Sequence, residues 1–574
     1  MRILLTATLS LLLCFAAFAT EPPHLAQPLP LPNYNSIAPP VPVQLHTQPA
    51  TWLKSLDDLK GWPLSGMVYH EALKHFQPTR ALGQLASGDA VQGRPSSIVE
   101  RQNGRRVRVT ALPSLLEHLN PATNTTNNPN HDVEPTTMAT TSPLGTVYTN
   151  LFLTEYGGPY GQPYDYYEWS TDGVNFTAPT QFPLPTGFTD PFAYTGDPSA
   201  TAALGDGSAT PRMYFAEAGY HTTDVGSSGQ SGIFVFASAS GGQSWSGPVQ
   251  AANSNDGNLL LDQPNITVSW STTPPQGYAS TNGFVYTAYN LFHLPNVNRS
   301  DGNIFIRRSR GGIMCIGRCH AVCPCTPSFD DQVLVVHGNV ATPQVVVDNS
   351  GAVHVFYLNY DNFSNGGFAV EERVAPPVVD PSTQNIAFTI GPRVIGRETE
   401  MPNYLVANGT VRGINNLRAR HSPQTDRIEV TWTSALNVSG AWFSQVYLNS
   451  GDANGNWSYT QGQILDYNPF RDQFQPGLDF DAAGNLLVTW FDTRFSPSNT
   501  QWRQVVRYIM PTGALVNTGI GTTDVAHFDS QAPTNGFIGD YHEVWRWNGV
   551  WNDPWIGWPT TGTLSSDLYY SWVK

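Results

Sequence analysis

Acidic residues recur in this chain at one position of a repeating phrase: Glu134, Asp197, Asp262 and Asp540 stand at or beside its start. Carboxyls that a fold gathers at one mouth raise one another's pKa, and such a set can supply both the acid and the base of glycoside cleavage. Tyr541 follows Asp540 and becomes a nucleophile if a carboxylate takes its proton. Arg494, two residues after Asp492, is the first candidate for clamping an anion, with Arg418 and Arg308 behind it. The same Asp and Arg side chains, placed at strand ends, could equally satisfy turn amides and each other. The carboxyls could also hold Ca²⁺ through oxygen ligands.

The elements that would position these groups are written in the phrase itself. It begins at Pro135, Pro198, Pro264, Pro343, Pro402 and Pro476, and Gly539-Asp540-Tyr541 takes the next slot. A turn and an alternating aromatic or β-branched run follow most copies, as in GFVYTAY, GAVHVFYL and GNLLVTWF. Units of this length form small sheets that cannot bury both faces alone, so they must stack around a ring. The expected fold is all-β, a six- or seven-bladed β-propeller with seven preferred, and each blade's first strand lines the axis.

Residues 1–19 read as a signal peptide, with Arg2, an apolar run and small residues before Thr20. A lipid anchor at Cys14 is disfavoured by Leu13 before it. No later stretch is apolar enough to span a bilayer, so the expected location is secreted or periplasmic. Residues 20–49 form a Pro-rich arm, 50–129 a small helical or irregular region, and 130–574 the propeller. The spacing predicts short helices over 51–62 and 65–76. His70, Glu71 and His75 imitate a zinc-protease helix, but the second histidine is one residue too far to share the face. A net charge of −15 with no basic cluster argues against nucleic acid as a partner.

Cys315, Cys319, Cys323 and Cys325 fall with His320 in one insertion. In an oxidising compartment two disulfides are favoured, and a zinc site is the alternative. Two aromatic groups, Tyr156 to Tyr167 and Trp545 to Trp558, suit either sugar stacking or packing between blades.

Three turns resemble the Asp box, S-x-D-x-G-x-x-W: Ser238 to Trp245, Ser450 to Trp457, and Ser170 to Phe176. With Trp490-Phe491-Asp492-Thr493-Arg494 and Phe537-Ile538-Gly539-Asp540-Tyr541, the stretch 130–574 resembles secreted sialidase-like (BNR-repeat) propellers. The resemblance implies a glycoside hydrolase acting on terminal sugars, with glycan as partner and no organic cofactor. The placement of the residues themselves puts catalysis on Asp540, Tyr541, Arg494, Asp197 and Glu134, and substrate contacts on Arg418, Arg308, Asp492 and Asp262. The family's early R-I-P phrase has no counterpart here, and the alternative is a non-catalytic propeller that binds glycan or protein.

Overall fold

The computed structural model describes the strands between 99 and 573 and some of their connections. Residues 1–98 and shorter intervals including 310–328, 510–520 and 532–542 lie outside the described residues. The expected leader, arm and helices of 51–76 therefore lie outside them, as do the four cysteines, Asp540 and Tyr541. The described residues contain strands and turns and no helix, and so no helix able to cross a membrane.

Six antiparallel sheets follow one another as blades, each begun by its axial strand: His131–Thr141, Tyr194–Ala203, Leu259–Val268, Val340–Val347, Leu417–Ser422 and Gln473–Phe480. The axial strands of neighbouring blades touch in sequence. A composite sheet closes the ring between blades 6 and 1. Trp545–Trp547, Val550–Gly557 and Asp567–Val573 supply three of its strands, and Thr123–Asn124 adds the fourth at the outer edge. The propeller thus recruits residues upstream of the expected boundary at 130.

The recurring phrase turns out to be a β-bulge. In blades 1, 2, 3, 4 and 6 the axial strand slips register across Glu134-Pro135, Asp197-Pro198, Gln263-Pro264, Thr342-Pro343 and Gln475-Pro476. A looped-out residue makes no ladder bond, so proline, which has no N–H, sits there at no cost in hydrogen bonding. The residue before it takes φ between 49° and 57° in all five cases, the left-handed region that a side chain seldom occupies. Several of these residues face the axis as a result.

The phrase at Pro402 does not begin an axial strand. Leu405–Val406 and Val411–Arg412 form a separate small hairpin, and blade 5 opens instead at Leu417. The spacing of the phrase misleads there because the hairpin is inserted ahead of the blade.

Packing between blades is apolar and aromatic, with Trp432, Trp490, Tyr289 and Phe356 buried. The three Asp-box-like turns all join a blade's third and fourth strands. Asp452 Oδ1 accepts the amides of Asn454 and Asn456 at 3.0 and 2.9 Å, and Ser240 replaces the Asp by accepting the Ser244 amide at 2.9 Å. Gly242, at φ 86°, lies so close to Asn150 of blade 1 that a Cβ would sit 1.8 Å from its Oδ1. Trp245 packs against Phe152, Tyr167, Phe182 and Phe215. Each such aromatic pair adds roughly 0.5–1.5 kcal/mol. Of the Tyr156–Tyr167 group, Tyr167 packs with Phe182 at 4.9 Å.

Candidate functional site

The bulged strands surround a pocket on the axis whose lining mixes polar side chains with the bulge prolines Pro198, Pro264 and Pro343 and with Leu417. Gln263, Asn265, Thr342 and Gln344 enter from blades 3 and 4, Asn416 and Arg418 from blade 5, and Glu543 from the segment leading into the closing sheet. Leu417 and Ala419 alternate with Arg418 and Arg420 along the axial strand of blade 5. The two apolar residues join the core between blades, which turns both arginines to the other face.

Glu543 is the hub. Its Oε2 accepts the Thr136 hydroxyl of blade 1 at 2.6 Å, and its carboxylate lies 3.8 Å from Arg418 Nε and 3.5 Å from Arg420 Nη2. Two residues before Thr136, across Pro135, Glu134 accepts the backbone amide of Asp197 in blade 2 at 3.2 Å. Carboxylates of three successive sheets therefore run along the axial wall. Glu134 and Asp197 are fully buried and Glu543 is 3 % exposed.

Two donor-bearing atoms of the pocket, Asn416 Nδ2 and Thr342 Oγ1, have no hydrogen-bond partner among the described residues, nor has Nε of the neighbouring Arg420. Asn416 is 2 % exposed. A buried amide without a partner costs about 1–3 kcal/mol, so Asn416 is a position where a bound hydroxyl or carbonyl would be favoured.

The expected site residues divide. Glu134 and Asp197 adjoin one another through the Asp197 amide, and Arg418 lines the pocket beside Glu543. Asp262 lies just before the bulge of blade 3, where its Oδ1 accepts the Tyr220 hydroxyl at 2.6 Å. Burial, then the charges of Asp262 and Asp197, push the Tyr220 phenol well above its ordinary value, which unsuits it as a nucleophile.

Arg494 does not clamp an anion from solution. It is buried, and Asp492 and Asp466 hold its guanidinium. Burial opposes its charge, and these two carboxylates outweigh that and raise its pKa. Asp492 is occupied in turn by Trp490 Nε1 at 3.0 Å and Gln473 Nε2 at 3.1 Å. Arg308 sits on the third strand of blade 3, fully buried, with Asp330 at 2.6 Å and the Gln384 carbonyl at 2.6 Å. Both arginines hold structure, the reading in which charged side chains satisfy one another at strand ends. Among the described residues no group of three or more His, Cys, Asp or Glu is disposed to hold a metal ion.

Glu543, Arg420 and Asn416 went unnoticed in the sequence. Arg420 had a signal, since R-A-R at alternate positions places two guanidiniums on one strand face.

The fold and its axial site define the class: a β-propeller with a pocket on its axis. No protein-family model matches the chain, and no curated protein matches it. Among solved structures it is similar to an α-L-arabinanase of Penicillium chrysogenum complexed with arabinobiose, at TM-score 0.38 and 14% identity over 65% of this chain and 94% of that one. It is similar to the α-L-arabinofuranosidase of Fusarium graminearum, at 0.37 and 9% over 81% and 98%. The NanB sialidase of Streptococcus pneumoniae gives 0.36 and 10% over 65% and 66%. At such scores and identities nothing about chemistry transfers.

Proposed function

We propose that this protein is a glycan-acting propeller, a glycoside hydrolase that takes a terminal sugar into the axial pocket. The observation that carries the reading is the meeting of Arg418, Arg420 and Thr136 on Glu543, beside buried donors left open at Asn416 and Thr342. Amide and hydroxyl groups recognise sugar hydroxyls, and a fixed carboxylate can take a proton or meet the developing positive charge of an oxocarbenium-like transition state. Glu134 and Asp197 are the nearest candidates for the second carboxyl. With the leader at 1–19, the substrate is an extracellular or periplasmic glycan.

The finer, sialidase-like reading asks arginines to clamp a sugar carboxylate. Arg418 and Arg420 are the candidates, and a carboxylated sugar would have to share them with Glu543. The second reading is glycan binding without turnover, favoured by the low exposure of Glu543.

A panel of fluorogenic glycosides that includes a sialoside tests these readings on the purified chain and on Glu543→Gln, Asp197→Asn, Asp540→Asn and Tyr541→Phe. Turnover that Glu543→Gln abolishes supports hydrolysis. Sugar binding without turnover leaves the binding reading, and turnover indifferent to Glu543 removes the assignment. Release of a sialoside alone selects the sialidase-like form.

A further inference from the structure

The second and third strands of blade 5, Arg427–Val438 and Ala441–Asp452, run on past the start of the axial strand. Leu417 pairs with Trp432, and Thr433 N–H donates to the Asn416 carbonyl at 3.2 Å. From Thr433 the hairpin continues to the pair Asn437 and Trp442, a rise of about 14 Å on the side where Asn416 enters the pocket. Trp442 on this hairpin is 39 % exposed, and Tyr467 and Phe470 on the loop leading into blade 6 are 63 % and 58 % exposed. Phe443, the next residue along, faces the opposite side of the strand from Trp442 and lies edge-on to Phe470 at 6.3 Å, so the ledge that hairpin and loop form is the Phe443 face with Tyr467 and Phe470.

The ledge is held rigidly from beneath. Gln445, fully buried, donates to the carbonyls of Asn468 and Arg471 at 2.9 and 2.8 Å. Asp472 accepts the Ser444 amide at 2.7 Å and the Asn499 side chain at 2.7 Å, and Arg494 grips Asp466 at the start of the loop. A loop pinned by buried polar groups while its large rings stay in water is a surface prepared for a ligand. Flat rings separated by polar groups such as Asn468 suit sugar faces better than the continuous apolar patch a protein partner needs.

We propose that this ledge carries the continuation of a glycan chain whose terminal residue occupies the axial pocket. The substrate class is accordingly an oligo- or polysaccharide rather than a single sugar on a small aglycone. The inference rests on the glycan-acting reading above.

Its test is a calorimetric titration with matched mono- and oligosaccharides of one to six residues, neutral and acidic. The protein is the full chain carrying Glu543→Gln, so that binding is read without turnover, with wild type in parallel. Affinity should rise with chain length, and Phe470→Ala or Tyr467→Ala should lower oligosaccharide affinity about tenfold while leaving monosaccharide affinity unchanged. Tyr467→Phe, which keeps the ring, should restore it. The exposed positions leave folding intact, checked by thermal melting. Length-independent affinity, ledge variants equal to the parent, or absence of binding by every oligosaccharide overturns the ledge. If oligosaccharides bind through the ledge while wild type cleaves nothing, the ledge stands and the hydrolase reading falls. If wild type cleaves short glycosides and the ledge variants match it on every chain length, the reverse holds.

Discussion

At the seam between blades 4 and 5 the charges close upon one another, whereas on the axis they stop short of closure. His354, fully buried, has Glu372 Oε1 at 2.8 Å on Nδ1 and Asp348 Oδ2 at 3.3 Å on Nε2. Glu372 Oε2 takes Arg393 and the indole of Trp457 from blade 5, each at 3.2 Å. Burial opposes the charge on His354, but its two carboxylate partners outweigh that and lift its pKa to about 9. In the axial pocket Glu543 gathers two arginines and a threonine, yet Asn416 and Arg420 retain donors that nothing described satisfies. Around His354 every carboxylate oxygen of Glu372 is engaged, whereas the axial site leaves buried donors to which a ligand could bind.

Removing a carboxylate from each region should separate these roles. Glu543→Gln keeps the shape and should lower turnover by about 10² to 10⁴-fold in steady-state assays, with the melting transition little changed. Ordinary turnover in that variant would put the chemistry elsewhere. Glu372→Ala leaves His354 and Arg393 without their shared carboxylate, and should cost about 3–5 kcal/mol in chemical denaturation. A cost below about 1 kcal/mol would mean the seam is held by Trp457 packing and not by charge.

The pH dependence sharpens the contrast, because it belongs to the seams. The stability that the raised pKa of His354 supplies is complete below its ordinary value of 6.5 and is lost as pH rises through about 9. Between blades 1 and 2 the buried carboxyls of Asp165 and Glu217 face each other. Burial raises Asp165 to about 8 against the hydrogen bond from Thr154, while burial and the charge of Asp165 push Glu217 well above its ordinary value. A carboxyl held protonated loses stability as pH rises from its ordinary value of 3.8 toward about 8, the same direction as His354. Melting temperature should therefore fall from weakly acidic to alkaline pH. Asp165→Asn should flatten the lower part of that decline, and an unchanged profile in this variant would remove the pair from the explanation.

The smallest effect expected is at Asn416. Asn416→Ala deletes an amide nitrogen without a described partner, so folding stability should hold while sugar affinity drops about fivefold to tenfold. A loss of stability instead, read by melting, would show that the amide serves the fold.

The propeller was legible because its repeat reports a backbone event: the residue before proline marks a bulge that five axial strands share. Where the bulge is absent the reading slipped, placing blade 5 at Pro402 when Leu417 begins it. Arg418 was legible by type alone. Arg494 misled because an arginine beside an aspartate at a strand end reads alike whether its partner is a ligand or Asp466 from the preceding loop. Glu543 could not be found, since its partners Thr136, Arg418 and Arg420 are far away in sequence and only the closed ring brings them near.

That closure sets an order of events. Thr123–Asn124 lies against the strand Asp567–Val573, so a segment ahead of blade 1 waits for one that follows blade 6 before the circle locks. Until then two unpaired sheet borders face solvent, each a template for a second copy. Loss of the final strand would therefore leave a sticky, open fan, harmful through self-association well before any missing catalytic group mattered.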